Sequence, residues 1–244
     1  MGRTYKTEAI VLRSLRFSEA DRILHLYTRD RGRIGAIAKG IRKTKSRFGA
    51  RLEPLSHAEL MLHEGSGELH TVTGVELIRS HRSTRENGYR LAAGLIGAEA
   101  MLKLYGEPEA NERAFTALSR FLDLLDDAEP AQAPPELDPL TLSFQLKLLW
   151  LSGYLPHVTA CVECGEGELV GFSPRAGGAV CRRHSPGSFP VSPAGLAGIE
   201  ELLSIPLADA AAAGLDVRAR RDALSVVTSS YEEHGGFRLR SLSA

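Results

Sequence analysis

Three cysteines and one histidine have the spacing of a tetrahedral metal site. Cys161 and Cys164 form a Cys-x-x-Cys pair, and after sixteen intervening residues Cys181 and His184 form a second pair with the same separation. A turn of this length places two donor atoms on one side of the backbone, and two such turns complete a tetrahedron around zinc. The spacing predicts a structural Zn2+ site in a zinc ribbon at about residues 157–188, because four protein ligands leave no coordination position for water or substrate.

The segment between the two pairs contains five glycines and buries little apolar surface. Bound metal would supply the missing free energy, on the order of 10 kcal/mol in small zinc peptides. Three alternatives stand beside this prediction. In the first alternative, Cys161 and Cys164 form a redox pair, although no thioredoxin-like βαβ pattern surrounds them. All three cysteines would be inert buried thiols, or His157 would replace His184 as the fourth ligand.

A second group of residues has the chemistry of a phosphate-binding loop. Residues 39–51 contain six cations and no Asp or Glu. These candidate DNA-binding residues are Lys39, Arg42, Lys43, Lys45, Arg47 and Arg51. Cations in this density neutralise a nucleic-acid backbone independently of base sequence. Phe48 offers a ring for base stacking, or else it anchors a solvated loop to the fold.

The charge distribution also indicates a polyanionic partner for the N-terminal part. The whole chain carries 30 basic and 30 acidic residues, yet residues 1–52 carry fourteen Lys or Arg and four Asp or Glu, a local net charge of +10. Residues 83–160 carry six basic and eleven acidic residues, a net charge of −5. Such asymmetry favours nucleic-acid binding over a solvated basic surface. Four more cations would extend the patch if they shared its face: Arg13, Arg16, Arg31 and Arg33.

The sequence contains no pattern typical of an enzyme. The glycines at 35 and 40 have phosphate-loop spacing, but Ile41 and Arg42 stand where Lys and Ser or Thr are required. The dinucleotide fingerprint, HExxH and GxSxG are missing. We therefore predict no catalytic residues.

Composition and hydropathy bound the class of protein. The 244 residues are 43% hydrophobic and 25% charged, as in an ordinary globular protein. No apolar stretch approaches the roughly 18 residues of a membrane span, and the first residues lack a signal-peptide core. A cytoplasmic protein with no membrane contact is expected, and its three cysteines suit a metal site better than disulfides.

The sequence has a strand-like pattern in its first part and a helical pattern in its second part, which together predict an α+β protein. Short apolar runs bounded by glycines predict five strands at residues 4–15, 22–29, 33–39, 58–63 and 68–78. They predict an OB-type barrel over residues 1–82. Residues 83–244 are predicted to form a helical domain that carries the zinc ribbon.

Helical spacing sets which residues of that second part are expected in the core. One stripe comprises Leu91, Leu95, Ala98, Leu102 and Tyr105, and a second comprises Phe115, Leu118, Leu122 and Leu125. Residues 137–151 are apolar around most of a helix and predict a buried central helix. Further helices are expected near 193–203 and 218–234.

The order of several short motifs resembles the bacterial RecO recombination mediator family over essentially the whole chain. The motifs are TEAIVL at 7–12, SEADR at 18–22, KGIR at 39–42, SRF at 46–48, LEPL at 52–55 and LSGYLP at 151–156. Family members typically carry a fourth cysteine where this chain has His184. Imidazole is an ordinary zinc ligand, so the departure leaves a zinc site in place.

The resemblance implies an N-terminal OB-fold, a helical C-terminal domain and a zinc-ribbon insertion. It implies binding to single- and double-stranded DNA, annealing of complementary strands and action in the RecF pathway. It also implies a cytoplasmic location in association with the nucleoid. The implied partners are RecR, the acidic C-terminal tail of single-strand-binding protein and, indirectly, RecA. The alternative is a zinc-containing RNA or transcription-associated module that binds nucleic acid without annealing it.

Overall fold

The protein has an N-terminal five-stranded sheet and a helical C-terminal region. The computed structural model describes residues 2–43, 46, 48–65, 67–106, 108–127, 129 and 133–242. The chain forms two compact units, Met1–Ala128 and Glu129–Ala244. The predicted α+β class is therefore confirmed.

The first unit is built on five strands that close into a barrel in the order β1-β2-β3-β5-β4. The strands are β1 (Arg3–Arg16), β2 (Arg22–Thr28), β3 (Gly32–Ala38), β4 (His57–Glu64) and β5 (His70–Arg79). The long strand β1 pairs with β4 through its first half and with β2 through its second half, and its register shifts between Val11 and Arg13. Strands β3 and β5 close the sheet in parallel, with Ala36 opposite His70. This pairing, with Ile37 opposite Thr71 as its second position, closes the barrel at one end of β3.

Alternating residues of the strands fill the barrel, as the period of a strand requires. Phe48 and Leu52, from the connection between β3 and β4, complete this core. The buried members are Ala9, Val11, Leu24, Leu26, Ile34, Ala36, Ala38, Phe48, Leu52, Ala58, Leu60, Leu62 and Val72.

Three helices belong to the same unit: α1 (Arg82–Glu86), α2 (Gly88–Leu104) and α3 (Glu112–Asp127). The predicted stripe on α3 is confirmed, since Phe115, Leu118, Leu122 and Leu125 are all buried.

The predicted stripe on α2 is confirmed at Ala98 and Tyr105, which are buried, and wrong at Leu95, which is 40% exposed. The buried face of α2 consists mainly of small residues: Ala93, Gly94, Ile96, Gly97, Ala98, Ala100 and Met101. A Cβ atom at Gly94 would lie 2.7 Å from Leu55 Cδ1. Close packing against α2 therefore selected small side chains over leucines.

The compact units divide at residue 128, whereas the sequence predicts a helical domain from residue 83. Helices α1–α3 lie between these positions. The division into 1–82 and 83–244 stays a prediction, since compactness alone does not establish which segment folds independently.

The second unit is organised around α4 (Pro139–Leu151), whose apolar residues are buried on nearly every side. Asp138 caps its first turn by accepting a hydrogen bond from the Leu140 amide at 2.8 Å. The later elements are β6 (Leu169–Ser173), β7 (Gly178–Cys181), β8 (Phe189–Pro190), α5 (Pro193–Ser204) and α6 (Val217–Ser230). Helices α5 and α6 both pack on α4, as expected for a central helix. In the part of the chain described, no helix has the length and apolar character of a membrane span.

Candidate nucleic-acid interface and metal centre

The four residues predicted to bind zinc come together in the second unit. Cys161 and Cys164 precede β6, Cys181 ends β7, and His184 lies in the helical turn Arg182–His184. Strand pairing places Leu169 of β6 opposite Cys181, which brings the two halves of the cluster together. The four ligand atoms all lie within 4.8 Å of one another.

Three of their separations match those of a tetrahedral zinc site. Cys164 Sγ lies 3.8 Å from Cys181 Sγ, and His184 Nδ1 lies 3.5 Å from the Sγ atoms of Cys161 and Cys181. With sulfur at about 2.3 Å and nitrogen at about 2.0 Å from the metal, tetrahedral geometry requires about 3.8 Å between two sulfurs and about 3.5 Å between sulfur and nitrogen. The residues present therefore fit a zinc ion.

The backbone around Cys161 forms a tight turn that prepares the thiol for a metal. The Gly165 amide donates to the Cys161 carbonyl at 2.8 Å, with Gly165 at a φ of +78° that favours glycine. Burial opposes ionisation of the Cys161 thiol. Hydrogen bonds from backbone amides, including that of Cys181, and from the His184 ring nevertheless lower its pKa to about 6. A thiolate at neutral pH is the form that binds zinc.

His157, the alternative fourth ligand, is placed elsewhere. Its amide donates to the Gly177 carbonyl at 3.1 Å, and it forms an isolated bridge with Gly178. Among the described residues, the cluster with ligand spacing contains His184 and excludes His157.

The two arginines beside the cluster are exposed. Arg183 Nη2 lies 3.6 Å from Glu166 Oε1, in a pair that is open to solvent on both sides. A surface pair of this kind contributes little to stability. Arg182 and Arg183 remain candidates for secondary DNA contacts.

The predicted basic loop begins where β3 ends. Gly40 has a φ of +70°, and its amide donates to Asp21 Oδ1 at 2.7 Å. This contact docks the start of the loop on the connection between β1 and β2. Lys39 and Lys43, on either side of Gly40, are exposed.

Arg42 adds three hydrogen bonds between the two connections. Its amide donates to the Ala20 carbonyl at 3.0 Å, and its guanidinium donates to the carbonyls of Ser18 at 3.2 Å and Glu19 at 2.8 Å. These acceptors are neutral, so the charge of Arg42 stays available at an exposed position.

Arg51 and Phe48 hold the other end of the loop. Arg51 is half-buried and donates to the carbonyls of Phe48 at 3.0 Å and Val75 at 3.4 Å. Phe48 is 1% exposed within the barrel core, so the idea that its ring stacks on bases is wrong and the anchoring alternative is correct. Lys45 and Arg47 lie outside the described residues.

The four additional arginines do not share one face. Arg13 and Arg16 are exposed on the second half of β1. Arg16 lies opposite Arg22 in the β1–β2 ladder, beside the basic loop. Arg31 and Arg33 lie at the opposite end of β2, about 20 Å away at about 3.3 Å per residue. Arg31 stacks on the Tyr5 ring and approaches Glu64 at 3.6 Å, and Arg33 donates to the Leu102 carbonyl. Arg31 and Arg33 therefore do not extend the patch.

One exposed aromatic at this end of the barrel was missed. Phe17, in the connection between β1 and β2, is 58% exposed. Its position directly after Arg16, in a turn between two predicted strands, is the signal that was available in the sequence.

Two family models together match nearly the whole chain. The family model described as "Recombination protein O N terminal" matches residues 1–81, and the one described as "Recombination protein O C terminal" matches residues 85–243.

Curated relatives named "DNA repair protein RecO" cover most of the chain. The protein of Rubrobacter xylanophilus is 46% identical over 227 residues, 89% of this chain and 88% of that protein. The protein of Alkaliphilus metalliredigens is 35% identical over 76% of this chain and 74% of its own length. The protein of Anaeromyxobacter sp. strain K is 32% identical over 96% and 92%.

Proposed function

The chain belongs to the RecO family of DNA repair proteins, and from that premise we propose that it is a recombination mediator that binds single- and double-stranded DNA and anneals complementary strands. No catalytic residue is assigned. The N-terminal barrel is proposed to be of the OB type, because its strand order, with β3 parallel to β5, suits a five-stranded barrel of that class.

One observation carries this proposal. Lys39, Arg42 and Lys43 are exposed together at one end of the barrel, and among the described residues none of the three is paired with a carboxylate. Cations without internal partners are free to replace the counterions of a phosphate backbone. The predicted contacts of Lys45, Arg47 and Arg51 would continue this surface.

Annealing follows from charge without a catalytic group. Two DNA strands repel each other through their phosphates, and a surface that presents cations to both lowers that repulsion. Backbone binding leaves the base edges free, so base pairing drives the strands together. The protein contributes only the surface on which the strands meet.

The metal would have a structural role. Cys161, Cys164, Cys181 and His184 would hold Zn2+ and so cross-link the turn before β6 to the end of β7. Bound zinc supplies folding free energy to a segment with little apolar core. The four side chains would fill all four positions of a tetrahedral zinc ion, so the site would serve the fold of the ribbon.

The partners follow from family membership. We assign RecR, the C-terminal tail of single-strand-binding protein and, indirectly, RecA to this chain on that basis, together with a cytoplasmic location at the nucleoid. No surface of the protein is assigned to any of these partners.

Strand annealing in the presence of single-strand-binding protein tests the proposal. The wild-type protein should accelerate pairing of coated complementary strands, and Lys39→Ala/Arg42→Ala/Lys43→Ala should lose most of that acceleration. A matched control removes three exposed cations elsewhere in the first unit, Lys103→Ala/Arg113→Ala/Arg120→Ala, and should retain it. Binding of oligonucleotides without annealing would instead favour the RNA or transcription-associated module.

A further inference from the structure

The exposed ring of Phe17 is unusual for the barrel that carries it. The other aromatic residue of this region, Phe48, is buried, whereas Phe17 leaves 58% of its surface in water. An exposed phenyl ring forgoes the favourable free energy of burial. A binding partner that covers the ring would recover it.

The backbone that presents Phe17 is held by hydrogen bonds. The Phe17 amide donates to the Asp21 carbonyl at 3.2 Å, and the Asp21 amide donates to Ser18 Oγ at 3.1 Å. Asp21 in turn accepts from the Gly40 amide. The backbone that carries the ring is already positioned, so a ligand that covers the ring loses little conformational entropy in ordering the loop.

Cations surround this turn. Arg16 precedes Phe17 and is exposed, and Arg42 donates to the carbonyl of Ser18, the residue that follows Phe17. Lys43 is next to Arg42 along the chain. The exposed ring and three exposed cations therefore lie within one turn and the loop docked on it.

From this juxtaposition we propose that Phe17 stacks on a base of single-stranded DNA while Arg16, Arg42 and Lys43 contact the adjacent phosphates. An anionic backbone with flat apolar faces is the ligand chemistry that such a surface suits. Bases of duplex DNA are already stacked on one another, so the ring selects the single-stranded form. The inference rests on the proposed DNA-binding function and names the residue that distinguishes strand from duplex.

The first experiment compares Phe17→Ala, Phe17→Leu and Phe17→Tyr on a thymidine oligonucleotide and on an abasic oligonucleotide of the same length. Phe17→Ala and Phe17→Leu should weaken binding to the thymidine strand by roughly 5- to 150-fold, the range that base stacking spans. Phe17→Tyr, which keeps an aromatic face, should bind the thymidine strand with nearly wild-type affinity. Binding to the abasic strand and the salt dependence should not change, because the phosphate contacts remain.

A spectroscopic experiment reads stacking directly. The chain contains one tryptophan, Trp150, so Trp150→Phe/Phe17→Trp places a single indole at the site. Addition of the thymidine strand should quench its fluorescence, and addition of the abasic strand should not.

Distinct outcomes separate this inference from the function on which it rests. Equal losses on both strands, unchanged affinity of Phe17→Ala, or full activity of Phe17→Leu would overturn base stacking and leave DNA binding by the loop intact. The last result would indicate an apolar contact, as with a protein partner. Loss of binding by Lys39→Ala/Arg42→Ala/Lys43→Ala separately tests the proposed function.

Discussion

The guanidinium of Arg42 donates to the carbonyl oxygen of Glu19 across 2.8 Å. This contact joins the connection after β3 to the connection between β1 and β2, two segments that are distant in sequence. Arg42 therefore carries both a charge for a phosphate and the hydrogen bonds that position its neighbours. The side chains of Lys39 and Lys43 make no such hydrogen bonds among the described residues, so these side chains contribute charge alone.

Removing the two lysines should flatten the salt dependence of DNA binding. Lys39→Ala/Lys43→Ala deletes about two phosphate contacts, so the slope of log K against log salt should become shallower by roughly one to two units. Fluorescence anisotropy at several salt concentrations measures this slope. Lys103→Ala/Arg113→Ala removes the same charge from α2 and α3 and should leave it unchanged; an identical slope in both variants would remove the lysines from the interface.

Arg42→Ala and Arg42→Lys should separate charge from docking. Lysine keeps the positive charge but lacks the planar fork that reaches two carbonyls at once. We expect Arg42→Lys to keep the salt slope and to lose affinity only severalfold. Arg42→Ala should make the slope shallower by about one unit and should weaken binding further. The backbone amide of residue 42 donates to the Ala20 carbonyl, and its hydrogen exchange should accelerate in both variants. Unchanged exchange would show that the side chain does not hold the loop.

The metal site should stabilise the second unit. Cys181→Ser or exhaustive chelation should lower the thermal midpoint by several degrees and release zinc in proportion to protein, since metal binding supplies folding free energy. Metal analysis and calorimetry measure both effects. His157→Ala is the matched control and should keep one zinc per chain. His184→Cys should also keep the metal, because cysteine supplies the fourth ligand in place of histidine. Retention of zinc by His184→Ala would contradict the assigned ligand.

His57 should make stability depend on pH. Burial against the Phe115 ring lowers its pKa below the ordinary value near 6.5, and the carboxylate of Glu8 at 3.3 Å only partly opposes this. The unfolded chain then binds a proton more readily than the folded one, so stability is full above about pH 6.5 and falls as the pH decreases below it. Urea unfolding of the wild type and His57→Gln should show a smaller decrease between about pH 6.5 and 5 in the variant. Parallel curves would exclude His57 as the cause.

Gly94 should be intolerant of any side chain. Its Cβ would meet Leu55 Cδ1 at 2.7 Å and Thr84 Cγ2 at 3.4 Å, and Leu55 is itself fully buried with a φ of +68°. We expect Gly94→Ala to destabilise the protein by about 1–3 kcal/mol through overpacking. Gly88→Ala, on the same helix with nothing within 4 Å, should be neutral or slightly stabilising. Equal effects in denaturant unfolding would show that packing at α2 is not tight.

Local patterns in the sequence sufficed to predict the five strands and the cysteine–histidine cluster. The five strands have β-branched and apolar runs between glycines, and each structural strand lies within two residues of its predicted start. The spacing of Cys161, Cys164, Cys181 and His184 predicts a cluster that the pairing of β6 and β7 assembles. Such features depend on neighbours along the chain, whose geometry the backbone itself restricts.

Side-chain roles at a distance were decided only by the tertiary structure. Phe48 and Phe17 both neighbour arginines in sequence, yet closure of the barrel buries the first and leaves the second in solvent. The tertiary structure likewise brings Arg31 against the Tyr5 ring and within 3.6 Å of Glu64, both distant in sequence. Periodicity specifies which face a residue occupies within its element, but which face meets the core depends on packing between elements that no local spacing records.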